Sequence, residues 1–242
     1  MKEMKNILTV IIIIMTVAII APGCLKMQKN FERSTTDTLN ANLNMTAWAY
    51  LKSRAYNNHT PNDTLFRRMY DAIIYSGIDT NEYIKPNRTY IFLNNGAVYT
   101  QDKTTKVATT TCVWGAVFTS AGKIAKSWKD YPAADVKNYL QYLILDGVYS
   151  HYNLPVNDVT AKTLLAPGAY TNNPVGFNFR TPAFISNPAS IMYIKVLNAS
   201  PSNTSDYPIQ LNQTYNVNTS DLLATNGVVD VMTAFVSPSL NL

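Results

Sequence analysis

Apolar positions in this chain form one N-terminal block, several stripes at steps of three and four, and a few short β-branched runs. The block runs from Ile7 to Ile20, follows Lys2 and Lys5, and ends at Ala21-Pro22-Gly23-Cys24. A positive start, a short apolar stretch and small residues at a cut site describe an export signal. The block is shorter than the roughly 20 apolar residues a membrane span needs. Further on, Leu39, Leu43, Ala47, Trp48 and Leu51 predict a helix over 36–55, with Thr36 or Asp37 as N-cap. The Asn-rich 57–62 reads as a loop. Leu65, Phe66, Met69, Ile73 and Ile74 then predict an inward face on a helix over 63–76, closed by Gly77.

Tyr90–Leu93 reads as a buried strand ending in the turn Asn94-Asn95-Gly96. Strand is also expected within 107–118, and helical spacing returns over 133–145 before the Asp146-Gly147 turn. Pro, Gly and Asn throughout 167–190 mark a long loop or insertion. Ile191–Leu197 and Val228–Met232 are the strongest strands. Helices early and strands late predict an α+β fold. Residues 1–23 are assigned to a signal peptide, 24–35 to a tether and 36–242 to one folded domain.

The chain has 242 residues, 47% of them hydrophobic and 14% charged, which suits a β-rich extracellular surface. Its net charge is +5, and loss of the signal (two lysines and one glutamate) leaves +4. The basic residues are scattered, so no nucleic-acid partner is expected. Cys24 and Cys112 are the two cysteines, too few for a disulfide framework. Gly23-Cys24 resembles a bacterial lipoprotein box. That resemblance implies lipidation of Cys24, palmitate among its acyl chains, and attachment to the membrane through lipid. In a bacterial exporter the many Asn-x-Ser/Thr triplets, Asn212 among them, are Asn/Thr-rich loops rather than glycan acceptors.

Groups for catalysis are scarce. The two histidines, His59 and His151, are expected at the surface, and no HExxH, CxxC, Gly-x-Ser-x-Gly or P-loop pattern exists. No catalytic residue, metal ligand or cofactor is assigned. The 16 tyrosines offer another chemistry, since Tyr and Trp line glycan and protein contacts. Tyr149, Tyr152, Tyr170, Trp128 and Tyr131 lie in or beside expected loops.

Three stretches resemble the fasciclin domain family, in its order and at about its spacing. Thr89–Val98 is similar to the first signature. Leu140–Tyr149 is similar to the central Tyr-His segment, with Tyr142 at the tyrosine position and Leu143 where histidine is usual. Asp221–Met232 is similar to the closing signature, with Asp230 replacing another common histidine. The resemblance implies a fasciclin-like wedge, with β-sandwich-like sheets packed against several helices. It also implies a non-catalytic adhesion or binding module of the cell envelope. In some animal members an Asp-Ile pair contributes to integrin binding, and Asp221-Leu222 is the matching pair. From the residues themselves, Asp221 reads first as a turn cap and Leu222 as core. Tyr142, Tyr149, Tyr152, Asp221 and Leu222 are the expected contacts to a cell-surface protein or glycan. The expected location is the cell envelope, as an outer-membrane lipoprotein facing periplasm or exterior. Two alternatives are a carbohydrate-binding accessory lipoprotein of an outer-membrane glycan-uptake system and a hydrolase with a dispersed site.

Overall fold

A computed structural model describes residues 41–56, 63–197 and 207–240. The expected signal, tether, lipidated Cys24, Thr36 and Asp37 caps and His59 lie outside the described residues. The first helix, α1 (Ala47–Ser53), is capped by Thr46, whose Oγ1 accepts the Ala49 N–H at 3.2 Å. The second, α2 (Arg67–Ser76), ends on Gly77 in the left-handed region at φ 65°, as its sequence predicts. Its inward face is Met69, Ala72, Ile73 and Ser76, whereas Ile74, expected inward, is 56% exposed.

The main sheet runs in the order β3 (Ile144–Asp146), β1 (Arg88–Leu93), β10 (Gly227–Met232), β9 (Thr219–Ala224). The two strands strongest in this region, β1 and β10, pair in parallel from Arg88↔Gly227 to Leu93↔Met232. Both are buried on both faces, which is why each is an almost continuous apolar run. Gly227 makes this register fit: a Cβ there would sit 2.0 Å from the Arg88 carbonyl oxygen.

The preceding Asn226 is more than a turn residue. Its Oδ1 accepts the Ala47 N–H at 2.8 Å. Its Nδ2 donates to the Tyr83 and Lys85 carbonyls at 3.1 and 3.2 Å and to the Tyr90 hydroxyl at 2.8 Å. One buried amide thereby joins α1, the 3₁₀ turn Thr80–Tyr83 and β1 to the β9–β10 hairpin.

A second sheet, antiparallel, runs β4 (Val159–Lys162), β6 (Ile191–Val196), β7 (Ile209–Leu211), β8 (Tyr215–Asn216). Strand β6 alternates buried and partly exposed positions, so one face is covered. The Leu145↔Thr163 bridge connects the two sheets. Short helices α3 (Asn95–Val98) and α4 (Val113–Ala116), and α5 (Ala133–Tyr142), pack around the main sheet; strand β2 (Val117–Phe118) pairs with β5 (Asn178–Phe179). The fold is α+β, and Ala41–Leu242 falls in one compact unit.

Several expectations need correction. Within 107–118 only β2 is strand: Ala108 makes an isolated bridge to Gln101, and α4 occupies 113–116. The helix expected over 133–145 stops at Tyr142, so that Ile144 can pair with Tyr90 in the sheet. The 167–190 stretch is no peripheral insertion: Tyr170, Phe177 and Phe179 from it are buried in the core. After β10 the chain stays inside, with Phe235, Val236, Ser237 and Ser239 buried and the Val236 carbonyl accepting the Tyr139 hydroxyl at 3.0 Å. Among the described residues, no helix is long and apolar enough to cross a membrane.

Candidate binding site

Arg68 stands in the first turn of α2. Asn95, the first residue of α3, holds it there: Asn95 Oδ1 accepts the Arg68 N–H at 2.9 Å, and Asn95 Nδ2 donates to the Thr64 carbonyl at 2.6 Å. The guanidinium Nη1 donates to the Asn95 and Tyr99 carbonyls at 3.0 and 3.4 Å. Its carbon lies 5.1 Å from the Tyr99 ring centre and 5.7 Å from that of Trp114, within cation–π range of both. Trp128 packs edge-on against Trp114 at 5.9 Å, and its Nε1 donates to the Arg68 carbonyl at 2.8 Å. Aromatic residues from three separate segments thus lock one arginine.

Two clefts open on either side of the Arg68–Trp114 pair. The first, about 570 Å³, is lined by Arg68, Tyr99, Lys106, Trp114, Ile124 and Lys126 among others, and no carboxylate lines it. The second, about 520 Å³, adds Tyr56, Tyr70, Ile74, Tyr75 and Lys129, with Asp71 as its carboxylate. Asp71 accepts the Tyr56 hydroxyl at 2.6 Å, and this hydrogen bond holds the Tyr56 phenol above its ordinary pKa. Trp114 is 8% exposed, and its Nε1 has no hydrogen-bond partner among the described residues. A buried indole N–H in that state is costly.

A second charged cluster joins the loop after β3 to strand β9. His151 Nδ1 lies 2.6 Å from Asp221 Oδ2, and its Nε2 lies 2.6 Å from the Tyr207 carbonyl. Both partners only accept when the carboxylate is ionised, so the ring that satisfies both is the doubly protonated imidazolium. Burial pushes the His151 pKa down, but the bonds to Tyr207 and Asp221 outweigh it and the net shift is upward. Asp230 stands behind this pair, fully buried, with Oδ1 accepting the Asp221 N–H at 3.1 Å and Oδ2 unpartnered among the described residues. Burial drives the Asp230 carboxyl up to about 7. This cluster is closed, since every polar atom of the imidazole is engaged within the fold.

The expected contact residues separate. Tyr142 is fully buried, donating to the Ile191 carbonyl at 3.0 Å and accepting from Asn212 Nδ2 at 2.8 Å; it has no surface to offer a partner. Asn212 opens the turn 212–214 between β7 and β8, as its triplet predicts, but its side chain is buried. Asp221 does not cap the turn. It lies inside β9 at φ 58° and binds His151 across the chain. Leu222 is half-buried against the core. His151, expected at the surface, is pinned as described. Tyr149 is half-buried, with its backbone N–H on Thr89 Oγ1 at 2.9 Å. Tyr152 is 87% exposed and open to contact. Trp128, Tyr131 and Tyr170 are core residues. Arg68, Tyr99 and Trp114 carried no local signal: one is an ordinary-looking helix charge, and the aromatics approach it only through tertiary structure.

Comparison with protein-family models finds no match for this chain, and no curated protein matches it. Among the described residues, no group of three or more His, Cys, Asp or Glu side chains could hold a metal ion.

Proposed function

We propose that the mature chain is a non-catalytic binding or adhesion module of the bacterial cell envelope, tethered by lipid on Cys24. Its folded part is read as a fasciclin-like domain, with Arg68 and Trp114 at the centre of its contact surface and a protein or glycan as partner. The observation that carries the reading is the pair of aromatic clefts meeting at that arginine. Clefts lined by aromatic side chains with a few fixed polar groups are the usual form of ligand sites. The first and closing stretches of that resemblance, β1 and β10, lie side by side in one sheet. Tyr152 supplies a separate exposed aromatic.

The glycan-uptake reading draws on the same clefts, because sugar rings pack on aromatic faces. A glycoside hydrolase of the usual kind would need a pair of carboxylates facing an open cleft. Asp221 and Asp230 are adjacent, but Asp230 is fully buried and Asp221 is engaged with His151.

Titration of the detergent-solubilised lipoprotein against a glycan array and against envelope proteins tests the site. Binding should drop on Trp114→Ala and persist on Tyr152→Ala; the reverse pattern would move the contact surface to the 148–156 loop. Cys24→Ala should release the protein from the membrane fraction, and mass spectrometry of the wild-type N-terminus should find acyl chains on Cys24.

A further inference from the structure

We infer that the first cleft, beside Arg68, Lys106 and Lys126, takes an acidic saccharide: a sugar ring bearing a carboxylate. This rests on the binding-module reading and narrows it to one ligand chemistry.

Three cations line the cleft and no acid does. Arg68 is the central one. No carboxylate pairs with it among the described residues, and its guanidinium is fixed between two rings with one terminal nitrogen already spent on carbonyls. An arginine held in one orientation meets a carboxylate at little further entropic cost, and its planar fork suits that group. The fixed cation sits in a field set by Lys106 and Lys126, which attracts an anion of the opposite sign.

Trp114 lines the same cleft and packs against the Arg68 guanidinium, so an aromatic ring stands beside the fixed cation. Tyr99, Trp114, Val107 and Ile124 give the cleft apolar lining, which a bare inorganic anion would leave unused and the carbon face of a pyranose would cover. At about 570 Å³ the cleft is also far larger than a single phosphate needs. The arrangement therefore fits a ring with one charge better than a small ion.

The test is calorimetric titration of the full lipoprotein in detergent with oligogalacturonate and with a neutral galactose oligosaccharide of equal length. Inorganic phosphate is added as a competitor. The acidic chain should bind roughly tenfold or more tightly than the neutral one, and the difference should shrink as salt is raised. Arg68→Gln should remove the preference. The double variant Lys106→Gln/Lys126→Gln, whose changes lie at the cleft rim, should weaken acidic binding severalfold while leaving the melting temperature in place.

Equal affinity for both sugars, with both lost on Trp114→Ala, would overturn the acidic class while leaving the binding-module reading intact. Full displacement by millimolar phosphate would overturn the saccharide class in favour of a simple anion site. Failure to bind either sugar would overturn the inference outright. The broader reading would then stand or fall separately on capture of an envelope protein by the wild type and not by Trp114→Ala.

Discussion

Arg68 and His151 are cationic side chains from distant parts of the chain, and their surroundings differ. His151 meets a carboxylate on one side and a carbonyl on the other at 2.6 Å each, so its charge and both donors are consumed inside the fold. Arg68 is held as firmly, but by ring faces and two carbonyls, and it borders two open clefts. Rigidity alone therefore does not mark a functional cation. What separates them is whether the group that fixes the charge also neutralises it.

The sharpest way to break this contrast is to remove the partner of His151. Asp221→Ala leaves a cation largely buried without its counter-charge and should cost about 2–3 kcal/mol, somewhat below the range for fully buried pairs because both side chains keep some solvent contact. Chemical denaturation reads this directly, and sugar or protein binding at the Arg68 clefts should be unchanged. Next, Arg68→Gln should lose roughly tenfold in ligand affinity while costing only about 1 kcal/mol of stability, since its ring contacts and carbonyl bonds are individually modest. A large stability loss with intact binding would reverse the roles assigned to the two residues.

A smaller effect is expected from pH. The folded His151 has a raised pKa, so the stability it contributes is complete below its unfolded value of 6.5 and is lost as pH rises through the folded value. Asp230 is raised from 3.8 to about 7 by burial, so keeping it inside becomes progressively costlier between those values. Both groups bind protons more tightly in the native state, so both lower the melting temperature as pH rises from 5 to 8. Asp230→Asn keeps the acceptor for the Asp221 N–H and should flatten that slope. The smallest change is expected at Tyr152, where Tyr152→Ala should move stability by less than about 0.5 kcal/mol, as a substitution on the open surface does.

The main sheet was legible because β1 and β10 carry the apolar runs Tyr90–Leu93 and, broken only by Asp230, Val228–Met232, and the closing glycine of α2 announced its own conformation. Other parts were hidden for identifiable reasons. The 167–190 stretch is broken by Pro, Gly and Asn, so its buried Tyr170, Phe177 and Phe179 carry no periodicity. Tyr142 is an expected contact through its place at the tyrosine position of the central segment, yet Asn212, seventy residues away, satisfies its hydroxyl in the core. Helix α1 starts late because Thr46 and Asn226 together meet its leading N–H groups, and half of that cap comes from the other end of the sequence. The clefts depend on Tyr99, Trp114 and Trp128 meeting around Arg68, a convergence that no spacing within one segment records.

Because β10 lies between β1 and β9, an inner strand of the main sheet follows both of its sheet neighbours in the chain. Until residue 226 emerges, the leading amide of α1 and the carbonyls of Tyr83 and Lys85 lack their shared partner. A chain truncated before that point would leave the facing edges of β1 and β9 open to whatever strand is near. The main sheet is therefore complete only with the β9–β10 hairpin in place, a long-range pairing that joins distant parts of the chain.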